Sequence, residues 1–296
     1  MLLYRDNPFC PLSNYPIYPP YANGAYLEDY FAMRFVAEGR QNDIERIYIP
    51  ILWTPYYIER NMAGKIHIPD EEPLQSNLNS MDPNKKYFVV SQHDDAPIHR
   101  LPENTLVFSG GGNYDGPNTI PIPLVCSKIP NHLIPDIEER DILVSFIGSD
   151  THPVRRRAID SINGNDRVVV KSRGWNNNVP MNDLTQFLTI TVRSEFCLCP
   201  RGYGKSSFRL YECMQMGTIP VYVSDEHYLP WSDELDWNEF CVLVTQEEIP
   251  DIYNRLNSMT EETKNQMRNK LEEVYDKYFS LSGMYDNIMK RVENIS

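Results

Sequence analysis

The sequence predicts an α/β protein made of two parallel-sheet units, and three observations carry that expectation. Short Val/Ile/Leu/Phe runs alternate with stretches of helical length along the chain. Two such runs, 196–199 and 219–223, bracket a glycine-bearing loop and a helix-like stretch, a unit whose loop end collects anionic ligands. A charged segment at 127–139, containing Pro130 and Pro135, reads as the linker between the halves.

Composition sets the bounds. At 296 residues, 41% hydrophobic and 23% charged, the chain is globular and long enough for two ordinary domains. Its net charge of −13, from 28 basic and 41 acidic side chains, argues against a nucleic-acid partner or an anionic membrane surface. The amino terminus lacks a signal-like apolar core, and no run approaches the ~20 apolar residues of a membrane span. Six cysteines, at 10, 126, 197, 199, 213 and 241, form no paired CxxC motifs. Cys197, Cys199 and Cys213 read as buried free thiols, and neither a disulfide framework nor a structural zinc is expected. Asn294-Ile295-Ser296 fits the glycosylation pattern, a single match close to chance.

Residues 1–24 are rich in Tyr, Pro and Asn and predict an irregular segment lying over the first unit. Residues 25–38 carry Tyr26, Leu27, Tyr30, Phe31, Phe35 and Val36 at spacings that suit an amphipathic helix, ended by Gly39. Residues 47–53 (IYIPILW) read as a strand, and 66–83 as an exposed connector or a partly helical excursion. Residues 87–90 form the next strand. His93, Asp94 and Asp95 follow at its carboxyl end, where a proton acceptor and a group that polarises it would lie together. After the strand at 106–108, Gly110, Gly111 and Gly112 permit either a close approach to a ligand or a simple turn. Residues 119–126 (TIPIPLVC) form a short apolar, proline-containing run.

The second unit opens with a strand at 143–148, followed by Arg155, Arg156 and Arg157, whose forked donors suit a diphosphate. A strand at 167–171 precedes Trp175 and the loop 176–178, with Trp175 read as a core residue. A helix at 181–191 leads into the richest stretch, 195–237. In its loop Pro200-Arg201-Gly202-Tyr203-Gly204-Lys205-Ser206-Ser207, Ser206 and Ser207 stand where a helix would begin and offer its N–H groups to a phosphate. Arg209 and Glu212, three apart, share a face of that helix. Glu212 suits a ribose diol, while Arg201, Lys205 or Arg209 suits phosphate charge. The spacing is not that of a Walker loop, which disfavours a P-loop hydrolase. A strand at 240–244 and helices at 247–257, 260–278 and 284–292 complete the chain.

The stretch resembles the catalytic region of exostosin-like glycosyltransferases, with a CPxGxGxxSxRxxExxxxGxxPVxxSD run followed by LPxxxxLDW. Those positions are filled here by Cys199, Pro200, Gly202, Gly204, Ser207, Arg209, Glu212, Gly217, Pro220, Val221, Ser224 and Asp225, then Leu229, Pro230, Leu235, Asp236 and Trp237. The resemblance covers the second half well and the first loosely. It implies two Rossmann-like domains facing across a cleft, the GT-B type. Domains are expected at 1–130 for the acceptor and 131–278 for the nucleotide sugar, with 279–296 bracing back on the first.

The implied activity is transfer of a sugar from a UDP-sugar to a hydroxyl of an oligosaccharide or glycoprotein, with inversion and no cofactor or metal requirement. The donor-side set is Arg155 or Arg156, Arg201, Ser206, Ser207, Arg209 and Glu212. The candidate bases are Asp94, Asp95 and His93, in that order. The alternative is a catalytically silent glycan-binding or complex-forming homologue. The missing anchor suggests a soluble intracellular protein, cytoplasmic or viral in a host cytoplasm, or a trimmed secretory-pathway enzyme.

Overall fold

The structure, a computed structural model, describes residues 27–62, 64–65, 67–125, 128–174 and 179–295. The expectations for 1–24, Cys10, Cys126, Trp175 and 176–178 lie outside the described residues. The first unit runs α1 (Leu27–Ala37), β1 (Ile47–Tyr48), α2 (Trp53–Glu59), α3 (Pro73–Asn79), β2 (Tyr87–Ser91), β3 (Thr105–Ser109) and β4 (Thr119–Pro121). Its sheet order is β1-β2-β3-β4, with every pair parallel.

The predicted strand at 47–53 is corrected: only Ile47 and Tyr48 form a ladder, and a helix begins at Trp53. Pro50 brings no N–H to a ladder. Pro55, in the first turn of α2, occupies a position where the missing donor costs nothing. The helix buries Trp53, Tyr56 and Tyr57 in a cluster with Leu74, Leu78, Val89 and Val107. Within 66–83, α3 starts at Pro73, and the preceding Glu72 caps it by accepting from Gln75 N at 2.9 Å.

The second unit runs β5 (Ile142–Ser149), α4 (Pro153–Ile162), β6 (Val168–Arg173), α5 (Met181–Val192), β7 (Ser194–Pro200), α6 (Phe208–Gln215), β8 (Ile219–Val223) and β9 (Val242–Val244). Three helices follow: α7 (Ile252–Asn257), α8 (Glu261–Val274) and α9 (Leu281–Asn294). The sheet is parallel throughout, in the order β6-β5-β7-β8-β9. The chain leaves β5 for one side and returns to β7 on the other. Their carboxyl ends therefore diverge into a crevice, the position where open α/β sheets bind ligands.

Alternation along β7 serves two cores. Phe196 and Leu198 pack with Val144, Phe146 and Val221 on one face, and Cys197 and Cys199 face α6 and the carboxyl-terminal helices on the other. The second cluster continues into the first unit, joining Tyr211 and Trp237 to Phe31, Phe88 and Tyr285. Helix α9 makes this continuity by returning to α1: the Tyr285 and Phe31 ring centroids lie 5.1 Å apart, and Arg34 pairs with Asp286 at 2.8 Å. Among the described residues, no helix is long and apolar enough to cross a membrane.

Candidate functional site

A cavity of about 450 Å³ lies at the carboxyl ends of β5 and β7, with the segment after β2 opposite. Helix α6 supplies its polar wall. Arg209, in the first turn, donates through Nη2 to Ile147 O at 2.6 Å and lays its guanidinium 4.6 Å over the Phe146 ring. Its Nε is buried with no hydrogen-bond partner, leaving an unsatisfied guanidinium donor beside the cavity. Glu212 is buried one turn further along and also lines the cavity. Ser207 is the amino-terminal cap residue, yet its side chain makes no capping bond, and it lines the cavity beside Ser206. Ser206 N donates to Gly111 O at 3.2 Å, tying this loop to the first unit.

The arginines divide by geometry. Arg155 lines the cavity but spends its guanidinium on backbone: Nε donates to Arg201 O at 3.1 Å, Nη1 to Ser149 O at 2.8 Å and Nη2 to Pro200 O at 3.0 Å. It stitches together the loops that follow β5 and β7. Arg201 braces its own loop, donating to Asp225 Oδ1 at 2.6 Å and Tyr203 O at 2.9 Å, and is not among the cavity's lining residues. Burial works against charge on Asp225, but the bond and charge of Arg201 hold its carboxyl below the usual range. Arg156 is turned away: one helical residue rotates a side chain by about 100°, and it pairs with Asp150 at 2.7 Å outside the cavity.

Opposite α6, the three polar residues after β2 take different positions. Asp94 is wedged between Gly111 and Gly204, where a Cβ on either glycine would collide with it. Burial first, and the charge of Asp95 second, push its carboxyl up to about 7, against the pull of Arg201. Asp95 stands on the far side, bridging the units. Its Oδ1 accepts from Asn113 Nδ2 at 3.0 Å and its Oδ2 from the Tyr203 hydroxyl at 3.1 Å. Asp95 N donates to His93 Nδ1 at 3.1 Å, which leaves the lone pair on Nδ1 and puts the proton of the neutral ring on Nε2. Burial lowers the His93 pKa despite the charge of Asp95, so His93 lines the cavity as a neutral donor.

Two residues of this region escaped sequence reasoning. Glu28 is fully buried beneath the cavity wall. Its Oε1 accepts from Gln92 N at 2.6 Å and Thr54 Oγ1 at 2.9 Å, and its Oε2 from Thr54 N at 3.1 Å. Burial pushes its carboxyl up to about 7. The available signal was an acidic residue on the same helical face as Phe31 and Phe35. Tyr203, 57% exposed, reads as a loop aromatic until Asp95 is brought opposite it.

The expectation that the chain has no metal-binding group, and with it that no metal is required, is corrected by Cys197, Cys199 and Cys213. Their sulfurs lie within 4.8 Å of one another, a group that could hold a metal ion. Cys197 and Cys199 point the same way from β7, two residues apart, and Cys213 meets them from α6, with 3.7 Å between Cys199 Sγ and Cys213 Sγ. Hydrogen bonds from the other two thiols favour a thiolate at Cys197, while burial pushes Cys199 and Cys213 up. Soft thiolates suit zinc or copper(I). None of the three lines the cavity. A strand pair plus one helical cysteine fourteen residues on has no recognised ligand spacing, so the group is invisible until the fold assembles it.

Comparison with known proteins agrees with the motif. A family model described as the exostosin GT47 domain matches residues 78–259, more than half of the chain. A probable glucuronosyltransferase of Oryza sativa is 33% identical over 157 residues, covering 50% of this chain and 36% of that protein. The exostosin-1 homolog of Caenorhabditis elegans is 31% identical over 182 residues, covering 53% of this chain and 47% of that one. The chain thus spans less than half the length of these two relatives. A glycosyltransferase of Rickettsia africae aligns over 97% of this chain and 85% of its own at 13% identity and a TM-score of 0.39.

Proposed function

The chain belongs to the exostosin GT47 family of glycosyltransferase domains, and we propose accordingly that it transfers a glycosyl group from a UDP-sugar to a hydroxyl of a glycan, with inversion at the anomeric carbon. The observation that carries this reading is Arg209, whose unpaired buried Nε stands in the first turn of α6 with Glu212 on the same face. The diphosphate lies against Arg209, Ser206, Ser207 and the amino end of α6, where donors and dipole favour negative charge. Glu212 accepts from the ribose diol.

Asp94 removes the proton from the acceptor hydroxyl as its oxygen bonds to the anomeric carbon. The bond from that carbon to the diphosphate breaks, and UDP carries away the electron pair. Arg209 and the helix N–H groups stabilise the charge that develops on the leaving oxygen. A carboxyl near 7 suits a general base, being largely ionised just above neutrality yet basic enough to take a proton in the transition state. His93, as a neutral donor, orients the acceptor or the donor sugar.

A screen of UDP-sugars for binding and transfer tests the proposal. Arg209→Met should weaken UDP binding by roughly ten- to a hundredfold, the worth of a charge-assisted hydrogen bond, and Glu212→Gln should weaken it less. Unchanged UDP affinity in both variants would overturn the donor site. Donor binding without transfer to any glycan would leave a binding module.

A further inference from the structure

A second, larger cavity, of about 700 Å³, opens behind Asp95 on the first unit. It shares one lining residue, Tyr203, with the cleft cavity, so the Tyr203 ring is the partition between them. Asp94 lines the cleft side and Asp95 the far side, one residue apart. A molecule lying in the second cavity therefore ends against Tyr203 and Asp95, the chain neighbour of the proposed base.

The lining has two characters. Tyr203, Tyr114 and Pro117 offer flat apolar faces of the kind that stack on a pyranose ring, and Asn113 and Asp95 offer polar atoms to hydroxyls. The charges are unequal: Asp95, Glu103 and Asp115 are acidic, whereas Lys65 and Arg100 are basic, and Arg100 is paired with Asp70. Burial keeps His99 neutral, its Nε2 donating to the Glu72 carboxylate and its Nδ1 accepting from the Tyr57 hydroxyl. An anionic ligand would meet net like charge.

We propose that this cavity is the acceptor subsite, that Tyr203 is its stacking wall at the reaction centre, and that it takes uncharged glycans in preference to uronate-bearing or sulfated ones. The proposal rests on the transferase reading, and UDP binding separates the two. With UDP present, cellotetraose, xylotetraose and chitotetraose are compared with tetragalacturonate and a hyaluronan tetrasaccharide by saturation-transfer NMR and calorimetry.

The neutral set should contain a ligand bound at least about tenfold more tightly than either anionic one. The paired reversal Glu103→Lys with Asp115→Lys, at two exposed positions, should narrow or invert that ratio. Leu101→Trp should fill the cavity and abolish oligosaccharide binding while UDP affinity stays unchanged. Equal or tighter binding of the anionic glycans to the unaltered protein overturns the proposal. So does binding of UDP with none of the neutral set, or oligosaccharide binding untouched by both changes. Failure to bind UDP overturns the transferase reading and this proposal with it.

Discussion

The Tyr203 hydroxyl donates to Asp95 Oδ2 at 3.1 Å, so the loop after β7 is fastened to the segment after β2 across the cleft. The same Asp95 holds His93 through its backbone N–H, and donor loop and acid segment are thereby registered against each other. Tyr203→Phe removes the bond and keeps the ring. A neutral-to-charged hydrogen bond at a partly exposed site supports a loss of turnover of about two- to tenfold, with UDP affinity unchanged. An unaltered rate under saturating donor and acceptor would show that the bond registers nothing.

Asp94→Asn should spare UDP binding and lower kcat by roughly a hundred- to ten-thousandfold, the contribution typical of a positioned base. The sign of the pH dependence follows from a raised carboxyl. Below about 7 Asp94 is protonated and cannot accept, so kcat/KM rises with pH through that point and levels above it. The Asn variant should lose this acid limb. A rising limb retained in the variant would move the base elsewhere.

Glu28 gives a stability test independent of activity. Its carboxyl is raised from 4.5 to about 7 in the folded chain, so the fold binds a proton that the unfolded chain has lost. Its contribution is fully present below about 4.5 and disappears as pH rises through about 7, on the order of 3 kcal/mol in all. Asp94 adds in the same direction. Glu28→Gln keeps an acceptor for the Gln92 and Thr54 N–H groups. It should narrow the difference in unfolding free energy between pH 5 and pH 8, and an unchanged difference by denaturant titration would refute this account.

The three-cysteine group should take one thiophilic ion per chain when cadmium is present during refolding, seen as sulfur-to-cadmium charge transfer in the ultraviolet and lost in Cys213→Ser. Absence of that absorption in the unaltered protein would sink the expectation.

The short apolar runs at 196–199 and 219–223, the helix between them and the linker prolines made the second unit legible in the sequence, because burial, length and punctuation agree there. Residues 47–53 misled because an apolar run of that length fits a strand and a buried helix start equally well, and Pro50 and Pro55 decide between them only once the partner strand is in place. The site was half legible. Ser206, Ser207, Arg209 and Glu212 share one loop and helix, so their convergence follows from local geometry. The diversion of Arg155 to backbone carbonyls, the wedging of Asp94 between Gly111 and Gly204, and the meeting of three thiols all depend on contacts between distant segments.

Helix α9 seats Tyr285 against Phe31 in a layer that belongs to the first sheet, yet it is synthesised after every strand of both sheets. The first unit's strands and α1 therefore leave the ribosome before the helix that covers the outer side of Phe31, and that layer closes only when α9 is made. Deleting residues 284–295 should cost the first sheet its protection from proteases before it alters anything at the cleft.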